Sequence, residues 1–533
     1  MIPDPVAAGV QSGWQVTDGS TLKRDLSLET DVVIVGSGAG GGMAAETLAR
    51  AGLKVVIVEE GPLKSSSDFN MLESEAYPSL YQESAARKTA DKAINILQGR
   101  CVGGGTTVNW TSSFATPEPT LRHWADQHGV TGSLPDDMSP WFKKAGERLN
   151  IALWQVEPNG NNGVLAKGAK ALGIDIDVMR RNVKGCANLG YCGVGCPINA
   201  KQSMLVTTIP DSLARGAILL TRARAKTLEF EGDRVSGLLV EALDGRGVEP
   251  TGKTIRIRAR HTVLSAGSIG TPALLMRSGA PDPYALTGKR TFLHPSNVCA
   301  SLFDDPIEGF SGAPQSVYSD QFLWPDGATG KMGFKLEVPP LHPLLVSTVI
   351  DGFGMIHRGM MKQMAHMQAI ISLHRDGFHP ESEGGTVKLR GDGSPYLDYP
   401  ISDYVWNAVR QSYLTMAEIQ FRAGARAVLP IHRDVRQPIP TWKQAKSVIE
   451  KLSLKPLQAR LFSAHVMGGC PMGGDPSRSM VDSQGNHHHL QNLTVLDASV
   501  FPTSIGSNPQ VSIYGFSLKN ATALAERLVP DKA

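Results

Sequence analysis

The clearest apolar pattern in the chain is "DVVIVG", residues 31–36, with no polar position from Val32 to Val35. A β-branched run that never alternates fits a parallel strand buried on both faces. It leads into "GSGAGGGMAAETLARAG", where Met43–Arg50 takes helical spacing, and then into a second apolar run, "KVVIVEEG" from Lys54. Strand, helix and strand predict a βαβ unit and a parallel sheet. Farther on, "RVSGLLVEALDGRGVEPTGKTIRIRARHTVLSAG" alternates around Gly and Asp turns. That pattern predicts an antiparallel meander feeding back into the sheet. "FGMIHRGMMKQMAHMQAII", residues 353–371, spreads its methionines over more than one face of a helix-like segment. Three readings stay open for it: flexible core filling, an adaptable lining for a bulky apolar substrate, or a surface that touches a membrane.

The turn between the first strand and its helix carries chemistry. Gly36, Gly38 and Gly41 have G-x-G-x-x-G spacing. The first glycine permits the tight turn, the second lets backbone approach a pyrophosphate, and the third allows close helix–strand packing. Amides at the helix start favour bound phosphate. Glu59 ends the second strand, where a carboxylate suits the hydroxyls of an adenosine ribose. An acid there argues against NADP and leaves FAD and NAD open.

Composition narrows the class. The chain has 533 residues, 41% hydrophobic and 19% charged, with a net charge of +3. That length predicts several domains, and the absence of any Lys/Arg run gives no electrostatic footprint for nucleic acid. The N-terminus, "MIPDPVAAGVQSGWQ", lacks a basic region followed by an apolar one, so it does not read as a signal peptide. No apolar run reaches the roughly 18 residues of a membrane span. No transmembrane segment is therefore expected, and the default location is cytoplasmic.

Four further segments break the tie between cofactors. They are "GRCVGGGTTVN" at 99–109, "VLSAGSIGTPALLMRSG" at 263–279, "SAHVMGGCPMGG" from Ser463 and "NLTVLDASVFPTSIGSNPQVSIYGFSLKNATALAERL" from Asn492. In this order the set resembles the glucose–methanol–choline (GMC) oxidoreductases, a family of FAD enzymes. The resemblance implies an α/β fold: a discontinuous FAD-binding Rossmann-like domain with an inserted substrate domain on an antiparallel sheet. Residues 29–115, 201–298 and 455–533 would form the FAD-binding domain. Residues 1–28 would be an N-terminal extension, 116–200 a substrate-side cap with a Cys-rich loop, and 299–454 the substrate-binding domain.

Residue by residue, the resemblance implies that Gly36, Gly38, Gly41 and Glu59 hold the ADP half of FAD. Gly103, Gly104 and Asn109 would line the pyrophosphate and the approach to the flavin. Ala266 lies in the small-residue turn of the second segment, and Asp497 would close over the ribityl chain. Asn508 and Pro509 would sit beside the isoalloxazine. His465 matches the family's active-site histidine, and Asn508 stands where many members have a second histidine. Alcohol oxidation removes a hydroxyl proton and a hydride. Neutral imidazole suits the proton, and an amide can orient the oxygen without ionising. Within the family, "CGVGCPINAKQS" and "LHP" at 293–295 look most like long-chain fatty alcohol oxidases and their bacterial relatives. The expected substrate is an apolar alcohol, with oxygen or a separate protein as electron acceptor and peripheral membrane contact left open. The alternatives are a lyase or decarboxylase on the same fold, a flavoprotein that only relays electrons, and a sugar-type dehydrogenase.

Half of the six cysteines, Cys186, Cys192 and Cys196, lie in one turn-rich stretch. A cytoplasmic disulfide is disfavoured, and structural zinc wants a fourth ligand. Two readings remain: free thiols packed in a tight loop, or the ligands of a 3Fe-4S cluster, as the C-x5-C-x3-C-P spacing of the sugar dehydrogenases implies. The run His487, His488 and His489 falls on a predicted surface strand, whose alternating faces argue against a shared ligand sphere.

Overall fold

A computed structural model of the chain describes residues 2–529. The unbroken apolar run forms strand β1 (Leu26–Val35), followed by helix α1 (Ala39–Arg50) and strand β2 (Val55–Val58). β1 and β2 pair in parallel with Val32 opposite Val55. Over Val32–Val35 both faces of β1 are buried, as the lack of alternation there requires. Val32 and Ile34 pack under α1 with Met43 and Leu48, and Val33 and Val35 join a second core with Leu264 and Val495. Strands Ile218–Thr221 and Gln15–Asp18 extend the sheet beyond β2. On the other side β1 pairs in parallel with β3 (Pro250–Leu264). The meander is present: β3, Arg234–Leu243 and Ala223–Glu231 run antiparallel in turn. Strand Leu493–Val495 lies parallel to the end of β3.

A second, mainly antiparallel sheet lies in the middle of the chain. Its centre is β4 (Ser296–Leu302), followed in sequence by β5 (Phe334–Glu337), the short helices α2 (Pro343–Val349) and α3 (Gly354–Met361), and β6 (Met367–His374). β6 runs between β4 and β5, antiparallel to both. The long helix α4 (Asp403–Arg422) buries Trp406, Val409, Tyr413 and Met416 in the same core as β4 and β6. On the far edge of β4, Leu461–Ser463 links this sheet to Ile94–Ile96. Helix α5 (Gln510–Leu528) returns to the first sheet, where Val511 and Leu524 pack in the core beneath α1.

Two expectations need correction. The Met-rich segment is α-helical only to Met361, with one 3-10 turn at Met364–His366. From Met367 the β-branched "AII" takes the strand conformation that β-branching favours and becomes the buried β6. The triple histidine lies in a loop with isolated bridges rather than a surface strand, and His487 is buried.

Candidate active site

Four parallel strands end at the same edge of the first sheet, and each delivers an expected cofactor residue there. Gly36 follows β1, Glu59 follows β2, Ala266 lies just beyond β3, and Asp497 lies just beyond Leu493–Val495. The carboxyl edge of a parallel sheet is where such folds bind ligands. These four residues line one cavity of about 1050 Å³ with Gly38, Gly104, Asn109, His465, Asn508 and Pro509.

Gly41 and Gly103 are not among the lining residues; they hold the cradle from behind. A Cβ at Gly41 would lie 1.9 Å from the Gly36 carbonyl oxygen, so only glycine lets α1 start so close to β1. Gly103, at φ +86°, donates its N–H to Ser37 Oγ at 3.0 Å and ties the two glycine turns together. At the cavity surface the turns meet backbone to backbone: a Cβ at Gly104 would lie 2.8 Å from Gly38 Cα. Glu59 is committed locally. One carboxylate oxygen accepts from Ser37 N and Oγ, the other from Gly61 N at 2.8 Å. Burial pushes its pKa up. Asp497 accepts from Gly267 N, Thr271 Oγ1 and Ser499 N, which fixes the third turn. The cradle thus offers Gly-lined backbone, fixed turns and carboxylates with spare lone pairs, a donor set that fits a dinucleotide.

His465 reaches the cavity from the second sheet, just after Leu461–Ser463. Its ring is held by His294, the histidine of "LHP". His294 Nδ1 lies 3.3 Å from His465 Nδ1. His294 Nε2 accepts the Gly506 N–H at 3.0 Å, and a backbone N–H can only donate. The hydrogen of neutral His294 is therefore on Nδ1, pointing at His465. His465 accepts there, holds its own hydrogen on Nε2, and has only that nitrogen open to the cavity. His294 is itself pinned. It sits at φ +45°, its N–H and that of Leu293 donate to buried Asp376, and Tyr399 Oη donates to the same carboxylate at 2.6 Å. Burial first, and the Lys335 charge second, push the His465 pKa down to about 4.

Asn508 faces the same cavity but is not free. Its Nδ2 donates to Glu337 Oε2 at 3.3 Å, whereas Asn508 Oδ1 and Glu337 Oε1 are buried without partners. Burial pushes the Glu337 carboxyl up to about 7, against the opposing pull of Lys335 and the Asn508 hydrogen bond. Lys335 and Glu337 share one face of β5, and Lys335 Nζ bonds Asp320 at 2.6 Å under the Phe114 and Tyr318 rings. The pocket end is closed by Asn109, whose Nδ2 donates to Gln510 Oε1, while Gln510 Nε2 reaches Ser112 O. Sequence reasoning missed Glu337, Asp376 and Gln510. The available signal was charge at i and i+2 inside the short strand "FKLE", which a surface strand would explain equally well.

The three clustered cysteines are free thiols and take no part in the cavity lining. Among the described residues no three His, Cys, Asp or Glu side chains gather into a group that could hold a metal ion. The 3Fe-4S reading of Cys186, Cys192 and Cys196 therefore finds no support. Cys192 Sγ instead accepts from the Arg181 guanidinium at 3.6 Å. The loop buttresses the cofactor side. Lys201 Nζ, fully enclosed, donates to the carbonyls of Thr107, Asn109 and Cys192, and Tyr81 Oη donates to Gly193 O.

The same cavity has an apolar part, the apolar arm, walled by Val298, Ala300, Val346, Val349, Ile371 and Leu373. No helix among the described residues is long and apolar enough to cross a membrane.

Comparison with known proteins agrees with this arrangement. GMC oxidoreductase models match residues 77–296 and 380–517, and an FAD binding domain model matches residues 29–66. An uncharacterized GMC-type oxidoreductase of Mycobacterium tuberculosis is 30% identical over 94% of this chain and 76% of its own length. The long-chain-alcohol oxidase FAO4A of Arabidopsis thaliana is 28% identical over 93% of this chain and 69% of its own. Among solved structures, an Aspergillus oryzae formate oxidase variant superposes with a TM-score of 0.71 at 15% identity, covering 94% of this chain and all of the other. Pyridoxine 4-oxidase from "Mesorbium loti" superposes at 0.66 and 18% identity, covering 93% and 99%. At these identities the two structures speak for the fold alone.

Proposed function

Because the chain belongs to the GMC oxidoreductases, we propose that it is an FAD-dependent enzyme oxidising an apolar primary or secondary alcohol to the aldehyde or ketone. One observation carries the reading. A single cavity is lined by the glycine turns, by His465 and Asn508, and by the residues of the apolar arm. The similarity to long-chain-alcohol oxidases supports the same substrate class.

Gly36, Gly38, Gly104, Glu59 and Asp497 would hold the FAD, which supplies the hydride acceptor when bound. The apolar arm would bind the hydrocarbon part of the substrate, each buried Å² contributing about 25 cal/mol. The second Nδ2 hydrogen of Asn508 would donate to the substrate oxygen, with Glu337 fixing the amide through the first. His465 would act as the base. In its resting tautomer the cavity-facing nitrogen holds a hydrogen, so base action requires the His294–His465 bond to be given up first. A neutral hydrogen bond of this kind is worth about 1 kcal/mol, small beside a chemical barrier.

The test is an anaerobic one. Purified protein carrying FAD is mixed with medium-chain, long-chain and aryl alcohols and with glucose, and flavin absorbance is followed. Bleaching by the apolar alcohols at lower concentration than by glucose is expected. Faster bleaching by glucose, or none by any alcohol, rejects the reading.

A further inference from the structure

The wall of the apolar arm has an outer face. Leu345, Val346, Val349 and Ile350 line the cavity from the α2 segment. Directly beyond them the chain exposes Phe353 (89%), Met355 (76%) and Ile356 (49%), and Leu344 is exposed at the start of α2. A second loop adds to this surface. Glu73 accepts from the N–H groups of Leu344 and Leu345 at 2.7 and 2.9 Å, which brings the exposed Met71 and Leu72 beside α2. The two short helices are tied to each other, His357 Nε2 meeting Ser347 O at 3.0 Å. Asp351 between them is neutralised by Arg460. Arg358 and Lys362 stand exposed on the same stretch.

Isolated exposed apolar residues need no explanation, but a contiguous patch does. Two observations select its occupant. Exposed apolar groups beside Arg358 and Lys362 on a short amphipathic helix match the boundary between acyl chains and anionic headgroups. The patch also continues the α2 segment whose Leu345, Val346, Val349 and Ile350 line the cavity, so a molecule leaving a bilayer there arrives at the cavity wall.

We propose that the segment from Pro343 to Lys362 docks on the surface of an anionic phospholipid bilayer, and that the substrate passes from the bilayer into the cavity beneath it. Docking itself is independent of the catalytic reading, and the delivery of substrate rests on it.

The experiment uses the FAD-loaded enzyme with phosphatidylcholine vesicles, with and without phosphatidylglycerol, and two double variants, F353D/M355D and R358E/K362E. All four positions are exposed, and retained flavin absorbance reports an intact fold. Expected results are cosedimentation of native enzyme with the anionic vesicles, and binding at least tenfold weaker in F353D/M355D, as the loss of a buried Phe and Met implies. R358E/K362E should lose the preference for phosphatidylglycerol. F353D/M355D should oxidise a water-soluble alcohol at the native rate and a vesicle-borne long-chain alcohol more slowly. Native enzyme that stays in the supernatant, or F353D/M355D that binds like native, overturns docking. Concentration-dependent self-association abolished by F353D/M355D would assign the patch to a second copy and overturn it as well. Vesicle binding without oxidation of any alcohol would leave docking standing and remove the catalytic reading alone.

Discussion

Acid inactivation should report directly on His465. Its imidazole is held near 4 rather than 6.5, chiefly by burial and then by the Lys335 charge. That displacement makes protonation about 3 kcal/mol harder than in water and leaves about one molecule in a thousand protonated at pH 7. A base must be neutral to act, so activity is present above the pKa and lost as pH falls through it. The His465 contribution to anaerobic stopped-flow reduction of the flavin by a saturating alcohol should therefore be flat above about pH 5 and half-maximal near pH 4. Lys335→Met removes the second cause and leaves the first. The acid limb should move up while staying below 6.5. Glu337, pushed up to about 7, can add a limb of its own, and Glu337→Gln separates the two because it abolishes that one and leaves the limb near 4. A native limb at 6.5 would show His465 to be solvated in the loaded enzyme. A Lys335→Met limb that does not move would remove Lys335 from the account. No acid limb at all would mean that His465 keeps the Nε2 hydrogen fixed by His294 and serves as donor, and another group would have to be the base.

Further expectations concern the site and its supports. His465→Ala should keep FAD and slow flavin reduction about 10²–10⁴-fold, the range for a lost general base; a native rate would place the base elsewhere. Gly41→Ala sets a Cβ 1.9 Å from the Gly36 carbonyl and should yield colourless or unstable protein, whereas a yellow variant of native melting temperature would contradict the tight helix–strand contact. Lys201→Met leaves three carbonyls without their shared donor and should lower stability by about 1–3 kcal/mol, read as a fall in thermal midpoint with loss of FAD retention. Ile371→Trp should block the apolar arm, raising KM for long alcohols far more than for short ones; equal effects on both would mean that the arm is not the chain-binding site.

How far the sequence could be read follows from where each residue's constraint comes from. The cofactor cradle was legible because its constraints are local. Gly36 and Gly41 are dictated by one turn, Glu59 ends one strand, and a window of about thirty residues contains the whole βαβ unit. His465 and Asn508 lie outside any such window, and only the resemblance of whole segments singled them out. The residues behind them were not legible at all. His294 matters because Gly506, more than two hundred positions away, donates into its ring. Glu337 matters because the turn leading into α5 brings Asn508 up against β5. Pairings of that kind exist only in the folded chain, and they leave in the sequence no more than an odd charge in a short strand. The cysteines stayed open in the sequence for the opposite reason. Their spacing was local and regular, yet a ligand set needs three side chains converging on one point, and that is a property of the loop's path. Here the path is set by Lys201 and Tyr81, which take hold of the loop's carbonyls. Cys192 turns to Arg181 instead. A motif defined by backbone turns can be trusted from sequence further than one defined by convergence, because turns carry their own geometry and convergence borrows it from the rest of the fold.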